Sequence, residues 1–252
     1  MFHSVVANAA MSVGGQVNQA VTNLSSNFQT AFNPQITKSY AAQDYQYLKN
    51  LVFSTSKISY FLLFLVSLPL VFNIDQVLSL WLETVPDGSA IFCILLLGNG
   101  ILNALSAPLN FCVMATGNIK WFQIVSALVY LSDLIILYLL FSLGFPPATA
   151  VAVKLCIMVL IVFVRMLFAS KEVPSISLGA FTKEVLFPIV ITSIICVLLY
   201  LIGLNWSSST WARLVITIVL FLSSCILSIF VGLSKQERLR LKSMFHGIMK
   251  RA

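Results

Sequence analysis

Charged residues are scarce in this chain. They make up 9% of its 252 residues, whereas 59% of the residues are hydrophobic. Soluble domains carry about 25% charged residues. So little charge cannot cover the surface of a soluble domain, and the composition excludes that class. It predicts an all-α polytopic membrane protein, because helices satisfy their own backbone hydrogen bonds in lipid.

Residues for metal or nucleophilic chemistry are also few. The two histidines, His3 and His246, lie at opposite ends of the sequence, and no two of the five cysteines have a metal-ligand or redox spacing. The acidic residues between the apolar segments have no histidine nearby, and no glycine-rich phosphate loop is present. We therefore expect neither an enzyme nor a bound metal or other cofactor.

Long hydrophobic runs, in contrast, are abundant. Six are long enough to cross a bilayer, and a seventh span is expected in the first 36 residues, which carry no formal charge. The six runs occupy 58–72, 89–114, 121–141, 147–168, 185–204 and 212–233. The chain thus divides into a transmembrane helix (1–36), a cytoplasmic loop (37–57), six further helices (58–233) and a basic amphipathic tail (234–252).

The first segment carries a stripe of amides and hydroxyls. Its members recur in steps of three or four: Asn8, Ser12, Gln16, Gln19, Asn23, Ser26, Thr30 and Asn33. This spacing places all of them on one face of a helix. At membrane depth such a face needs a protein neighbour or water. The stripe therefore either lines a cavity suited to a sugar, with its many hydroxyl groups, or hydrogen-bonds neighbouring helices.

A second polar stripe lies in segment 89–114. It contains Asn99, Asn103, Ser106 and Asn110, again at helical spacing. Pro108 is expected to kink this helix. The stripe fits a cavity wall or hinge as well as it fits ordinary helix packing.

Two ionisable residues are predicted deep in the membrane. Asp133 and Lys154 lie at similar depths in consecutive spans, and we expect them to pair, since a lone charge there costs several kcal/mol. The pair is either a structural ion pair or a proton- or substrate-linked switch, or else Lys154 is an anchor for an anionic sugar. Arg165, near the end of its span, is expected to extend to lipid phosphates rather than line a path.

The distribution of lysine and arginine predicts the orientation. Thirteen of the 15 fall in one set of alternate loops and ends, and the other set holds only Arg213. The positive-inside rule places the first set, with the C-terminus, in the cytoplasm. The basic tail is expected to lie on the anionic leaflet, and we expect no nucleic-acid partner because basic residues beside a last span are common.

Local sequence matches suggest a family. Residues 33–44 read NPQITKSYAAQD, 78–82 read LSLWL and 115–120 read ATGNIK. These segments resemble bacterial polysaccharide (O-antigen type) flippases of the multidrug/oligosaccharidyl-lipid/polysaccharide exporter superfamily. The resemblance covers the whole chain, and the NPQI block is its most specific part. Members have fourteen spans in two lobes plus two helices, and this chain resembles the last seven, the C-terminal half of such an exporter.

The resemblance implies a function and a partner. It implies translocation of polyprenyl-linked oligosaccharide across the bacterial inner membrane for surface polysaccharide or lipopolysaccharide synthesis. Seven spans place the first residue outside and leave the polar stripe with few neighbours. We therefore expect the chain to be a truncated copy or the C-terminal part of a longer protein, completed by the missing N-terminal lobe or by a partner chain.

Three other functions are weighed against the flippase. Cation-coupled multidrug efflux would favour a smaller, more aromatic or acidic site than this amide-rich stripe. A non-transporting membrane partner in polysaccharide assembly fits if seven spans are the whole product. A membrane glycosyltransferase would need a large aqueous loop with paired acids, which the sequence lacks.

Overall fold

A computed structural model describes residues 5–204, 210–235, 237 and 238, and these residues are helical almost throughout. Their α-helices are α1 (Val5–Ala41), α2 (Tyr45–Phe72), α3 (Ile74–Trp81), α4 (Ser89–Ala115), α5 (Lys120–Ser142), α6 (Ala148–Glu172), α7 (Leu178–Phe181), α8 (Phe187–Leu204) and α9 (Thr210–Leu227). Two π-helical turns, Thr182–Leu186 and Ser228–Gly232, precede α8 and follow α9. Most of the predicted tail lies outside the described residues.

Among the residues that the structure describes, six helical segments are long and apolar enough to span a membrane. They are Tyr45–Phe72, Ser89–Ala115, Lys120–Ser142, Ala148–Glu172, Leu178–Gly203 and Ala212–Gly232. The six predicted hydrophobic spans are confirmed in number and order, and the chain has the architecture of a polytopic membrane protein. α1 is a helix of 37 residues, but it is not among the six, so its place as a seventh span stays a prediction.

The chain divides into two compact units, Met1–Leu178 and Gly179–Ala252. In the first unit, α4 is central and packs against α1, α2 and α6, while α5 packs against α6. Buried clusters join these helices, one of them formed by Val21, Leu63, Leu97 and Ala104. In the second unit, α8 packs against α9 and against both π-helical turns.

α1 and α4 approach each other closely at two glycines. A β-carbon on Gly14 would lie 3.1 Å from the backbone of Phe92 and Cys93. A β-carbon on Gly100 would lie 2.7 Å from Asn18 Oδ1. A side chain at Gly14 would require the α4 backbone to shift by a few tenths of an ångström, and one at Gly100 would require the Asn18 side chain to move. These contacts show which face of α1 is buried.

Gln29 supplies a hydrogen bond that a proline removes from α4. Pro108 lies inside α4 and has no N–H, so the carbonyl four residues earlier, that of Ala104, loses its helical donor. The side-chain Nε2 of Gln29 donates to that carbonyl oxygen at 2.9 Å, and Gln29 is itself buried. The Gln29 amide thus links α1 to α4 at the point where Pro108 interrupts the helical hydrogen bonds of α4.

The segment 37–57, predicted as a cytoplasmic loop, is helical for most of its length, and its cytoplasmic location stays a prediction. α1 continues to Ala41 and α2 begins at Tyr45, which leaves a three-residue turn. Gln43 adopts a positive φ of 58° in that turn, and Asp44 caps α2 by accepting from the Tyr47 N–H. The polar composition suggested a loop, but no glycine or proline interrupts the chain from Asp44 to Leu68, so the helix persists.

Candidate functional site

The polar stripe of α1 lies on the open side of the first unit. Seven of its eight members are exposed, and Asn33 is half-buried. The buried face of α1 carries instead Ala10, Val13, Gly14, Val21, Ser25, Gln29, Phe32, Ile36 and Ser39. The stripe therefore faces away from α2 and α4, the helices against which α1 packs.

The hydrogen bonds recorded for the exposed stripe stay within α1. Ser12 donates to the carbonyl of Asn8 at 2.9 Å, and Thr30 donates to that of Ser26 at 2.8 Å. Gln19 Nε2 donates to Asn23 Oδ1 at 2.7 Å. The stripe thus does not hold α1 to its neighbours in the first unit. That role falls to Gln29, which lies beside the stripe.

The second stripe faces α6 and makes hydrogen bonds across the interface. Asn99 Nδ2 donates to the carbonyl of Lys154 at 3.1 Å. Arg165 Nη1 donates to Asn103 Oδ1 at 3.0 Å and to Ser106 Oγ at 2.8 Å. Asn110, the last member, is half-buried further along α4. Three of the four members therefore join α4 to α6.

The interpretation of Arg165 as a lipid-facing residue is wrong. Its side chain turns inward to α4, because side chains on a helix lean toward the N-terminus and this direction leads to Asn103 and Ser106. The sequence carried a usable signal. Arg165 follows Lys154 by eleven residues, three helical turns, so both lie on one face of α6.

A cavity of about 360 Å³ opens between α4, α5 and α6. It is lined by Asn99, Asn103, Tyr130, Asp133, Lys154, Ile157 and Met158. The structure thus brings together two predicted amides and both predicted intramembrane ions, which come from three different helices. Such a wall can offer hydrogen bonds, one positive and one negative charge, and an apolar surface.

Asp133 and Lys154 share this cavity without a recorded contact between their charged groups. The carboxylate Oδ1 of Asp133 is buried and has no hydrogen-bond partner. At about 1.5 Å per residue, Asp133 lies about 14 Å from the end of α5 and Lys154 about 9 Å from the start of α6. The similar depths fit the expected pairing, but the ion pair itself stays a prediction.

No cluster of three or more His, Cys, Asp or Glu side chains that could hold a metal occurs among the described residues. No protein-family model, curated protein or solved structure matches the chain. Two features of the first unit bear on function: the exposed amide stripe of α1 and the charged cavity beside α4.

Proposed function

We propose that this chain forms the C-terminal seven spans of a flippase for lipid-linked oligosaccharide in the bacterial inner membrane. The observation that carries the proposal is the exposed stripe of α1. Eight amide and hydroxyl side chains run along about 38 Å of helix, longer than the hydrocarbon core of a bilayer. The stretch of α1 that carries the stripe has no formal charge, and its length suits a membrane span.

Contact of this stripe with lipid is unfavourable. An amide moved into an apolar medium without a hydrogen-bond partner costs about 2–7 kcal/mol, and the stripe carries several. A water-filled cavity removes that cost, and it also accommodates a hydrophilic oligosaccharide. Amides donate and accept hydrogen bonds with sugar hydroxyls in many orientations, while the polyprenyl tail stays in lipid.

The cavity needs a second wall opposite α1. We propose that further helices provide it, either an N-terminal lobe of the same protein or a partner chain, and that rocking of the two lobes alternates access. An immunoblot of inner membranes for a C-terminal tag distinguishes the two sources. A lobe in the same chain gives a band near twice 27.8 kDa, and a separate chain gives a band near 27.8 kDa.

The test replaces the stripe by leucine and measures lipid-linked oligosaccharide in whole cells. The variant combines Gln16→Leu, Gln19→Leu and Asn23→Leu. The matched control combines Ala9→Leu, Ala20→Leu and Ala31→Leu, which adds three leucines at other exposed positions of α1. We expect the stripe variant to accumulate lipid-linked oligosaccharide as a deletion strain does, and the control to remain near wild type.

Two results would contradict the proposal. Normal oligosaccharide levels with raised sensitivity to cationic drugs, in deletion and stripe variant alike, would indicate multidrug efflux. Accumulation in the deletion strain but not in the stripe variant, with both variants present at equal protein levels, would indicate a non-transporting assembly partner.

A further inference from the structure

We propose that the cavity between α4, α5 and α6 binds a sugar that carries both an ammonium and a carboxylate group. The ammonium group lies at Asp133 and the carboxylate at Lys154. The choice of a sugar rests on the proposed function, whereas the requirement for two opposite charges rests on the cavity alone.

The charges of the cavity define the ligand. The Asp133 carboxylate has a buried oxygen without a donor, and for Lys154 the structure records a contact of its backbone carbonyl only. A ligand with a single charge compensates one of these groups and leaves the other in a low-dielectric site. A ligand with both charges compensates both, so it is preferred over either singly charged analogue.

The remaining wall suits the body of one monosaccharide. Asn99 uses its N–H on the Lys154 carbonyl and keeps its Oδ1 as an acceptor, while Asn103 uses its Oδ1 on Arg165 and keeps its N–H groups as donors. Ile157 and Met158 offer an apolar surface for the C–H face of a ring. A volume of about 360 Å³ is at the lower end for small-molecule pockets, which excludes a longer oligosaccharide.

Four sugars on one glucose skeleton test the charge requirement. They are 2-amino-2-deoxyglucuronic acid with both charges, glucosamine with the ammonium only, glucuronic acid with the carboxylate only, and glucose with neither. Binding to the purified full chain in nanodiscs is measured by calorimetry. We expect the doubly charged sugar to bind about tenfold tighter than either singly charged sugar, and glucose to bind weakest.

Variants assign each charge to its partner. We expect Asp133→Asn to remove the preference for the doubly charged sugar over glucuronic acid, because the ammonium group then has no carboxylate to bind. Lys154→Met should remove the preference for the doubly charged sugar over glucosamine, and Lys154→Arg should retain this preference. Lys171→Met, an exposed lysine at the far end of α6, is the control and should bind as wild type does.

Equal binding of the four sugars by folded protein would overturn the proposal, as would binding of none. Loss of sugar binding only in nanodiscs that contain phosphatidylethanolamine would also overturn it, since the cavity would then hold a lipid headgroup. These results leave the leucine test of the α1 stripe unaffected. The experiments therefore distinguish a failure of the sugar-binding proposal from a failure of the flippase proposal.

Discussion

At the scale of single residues, Arg165 shows how neutral side chains can stabilise a cation within an apolar helix. Its guanidinium group donates to an amide oxygen and a hydroxyl oxygen of α4. Hydrogen bonds between membrane helices contribute about 0.6 kcal/mol on average and up to about 1.7 kcal/mol. Two bonds from one group make Arg165 a main polar link between α4 and α6.

Arg165→Met should weaken this link. We expect a loss of about 1–3 kcal/mol in the free energy of unfolding in detergent, because two acceptors on α4 lose their donor. Lys171→Met, which removes an exposed positive charge from the same helix, should change the free energy little. Combining Arg165→Met with Asn103→Ala should cost less than the sum of the two single changes. Strict additivity would show that the two side chains do not interact.

The sequence predicted which residues are polar and deep, but not what each one contacts. Asn99, Asn103 and Lys154 were recognised from spacing and depth, and the structure places them at one cavity. The position of Arg165 near a helix end favours the lipid-facing interpretation, which the structure contradicts. Whether Arg165 faces lipid or α4 depends on the direction of its side chain and on which helix lies opposite. The periodicity of the sequence contains neither piece of information.

At the scale of helices, the interface between α1 and α4 depends on one amide and one proline. Gln29 supplies the hydrogen bond that Pro108 denies to the Ala104 carbonyl. The two residues therefore compensate each other across the interface.

This compensation predicts a specific non-additivity. Gln29→Leu alone should destabilise the chain by about 1–3 kcal/mol, because it leaves a buried carbonyl without a donor. In the Pro108→Ala background the helix itself satisfies that carbonyl, so Gln29→Leu should cost much less. Unfolding of the four proteins in detergent measures the cycle. An equal cost in both backgrounds would show that Gln29 acts through packing alone.

The exposure of the α1 stripe predicts where water reaches this helix. In a cysteine-free background, Gln19→Cys should react with a charged, membrane-impermeant thiol reagent, because the reactive thiolate forms only in water. Two controls should not react: Val21→Cys, on the buried face of α1, and Leu128→Cys, at a 61% exposed position of the apolar helix α5, which we expect to face lipid.

Reaction of Gln19→Cys with an apolar maleimide only, as expected for Leu128→Cys, would place the stripe in lipid and remove the basis for a cavity. The five native cysteines must be replaced for this experiment, since Cys156 is exposed.

Helix boundaries were less predictable than helix existence. Hydropathy identified each of the six apolar helices, because spanning length is a strong signal. Hydropathy did not predict that only a short turn separates α1 from α2, or that α3 forms between two spans. Both segments lie outside the long apolar runs from which the spans were predicted, so spanning length gives no information on them.

At the scale of the whole molecule, the charge distribution predicts the topology. Because the lysine and arginine residues outside the spans are concentrated in one set of loops and ends, we expect a green fluorescent protein fused after Ala252 to fluoresce in the cytoplasm. Alkaline phosphatase inserted at Asp87 should be active, because that loop is predicted to be outside. Active phosphatase at the C-terminus would reverse the assignment.

The sequence predicted the membrane class of the molecule well and its assembly poorly. Composition alone separates this chain from soluble proteins. The partition into two compact units and the central position of α4 follow instead from close contacts, such as that between Gly14 and the α4 backbone. Hydropathy treats every apolar helix alike and gives no information on which pairs approach so closely.

The amide face of α1 also bears on how the chain enters the membrane during synthesis. The insertion machinery sorts each segment by its own hydrophobicity, and the polar stripe makes α1 the least suited segment to insert unaided. Its buried face packs against α2 and α4, and the stripe faces away from both helices. We expect stable insertion of α1 to depend on the helices of the proposed second wall, which enclose the stripe in a water-filled cavity, and not on the apolar helices of its own unit.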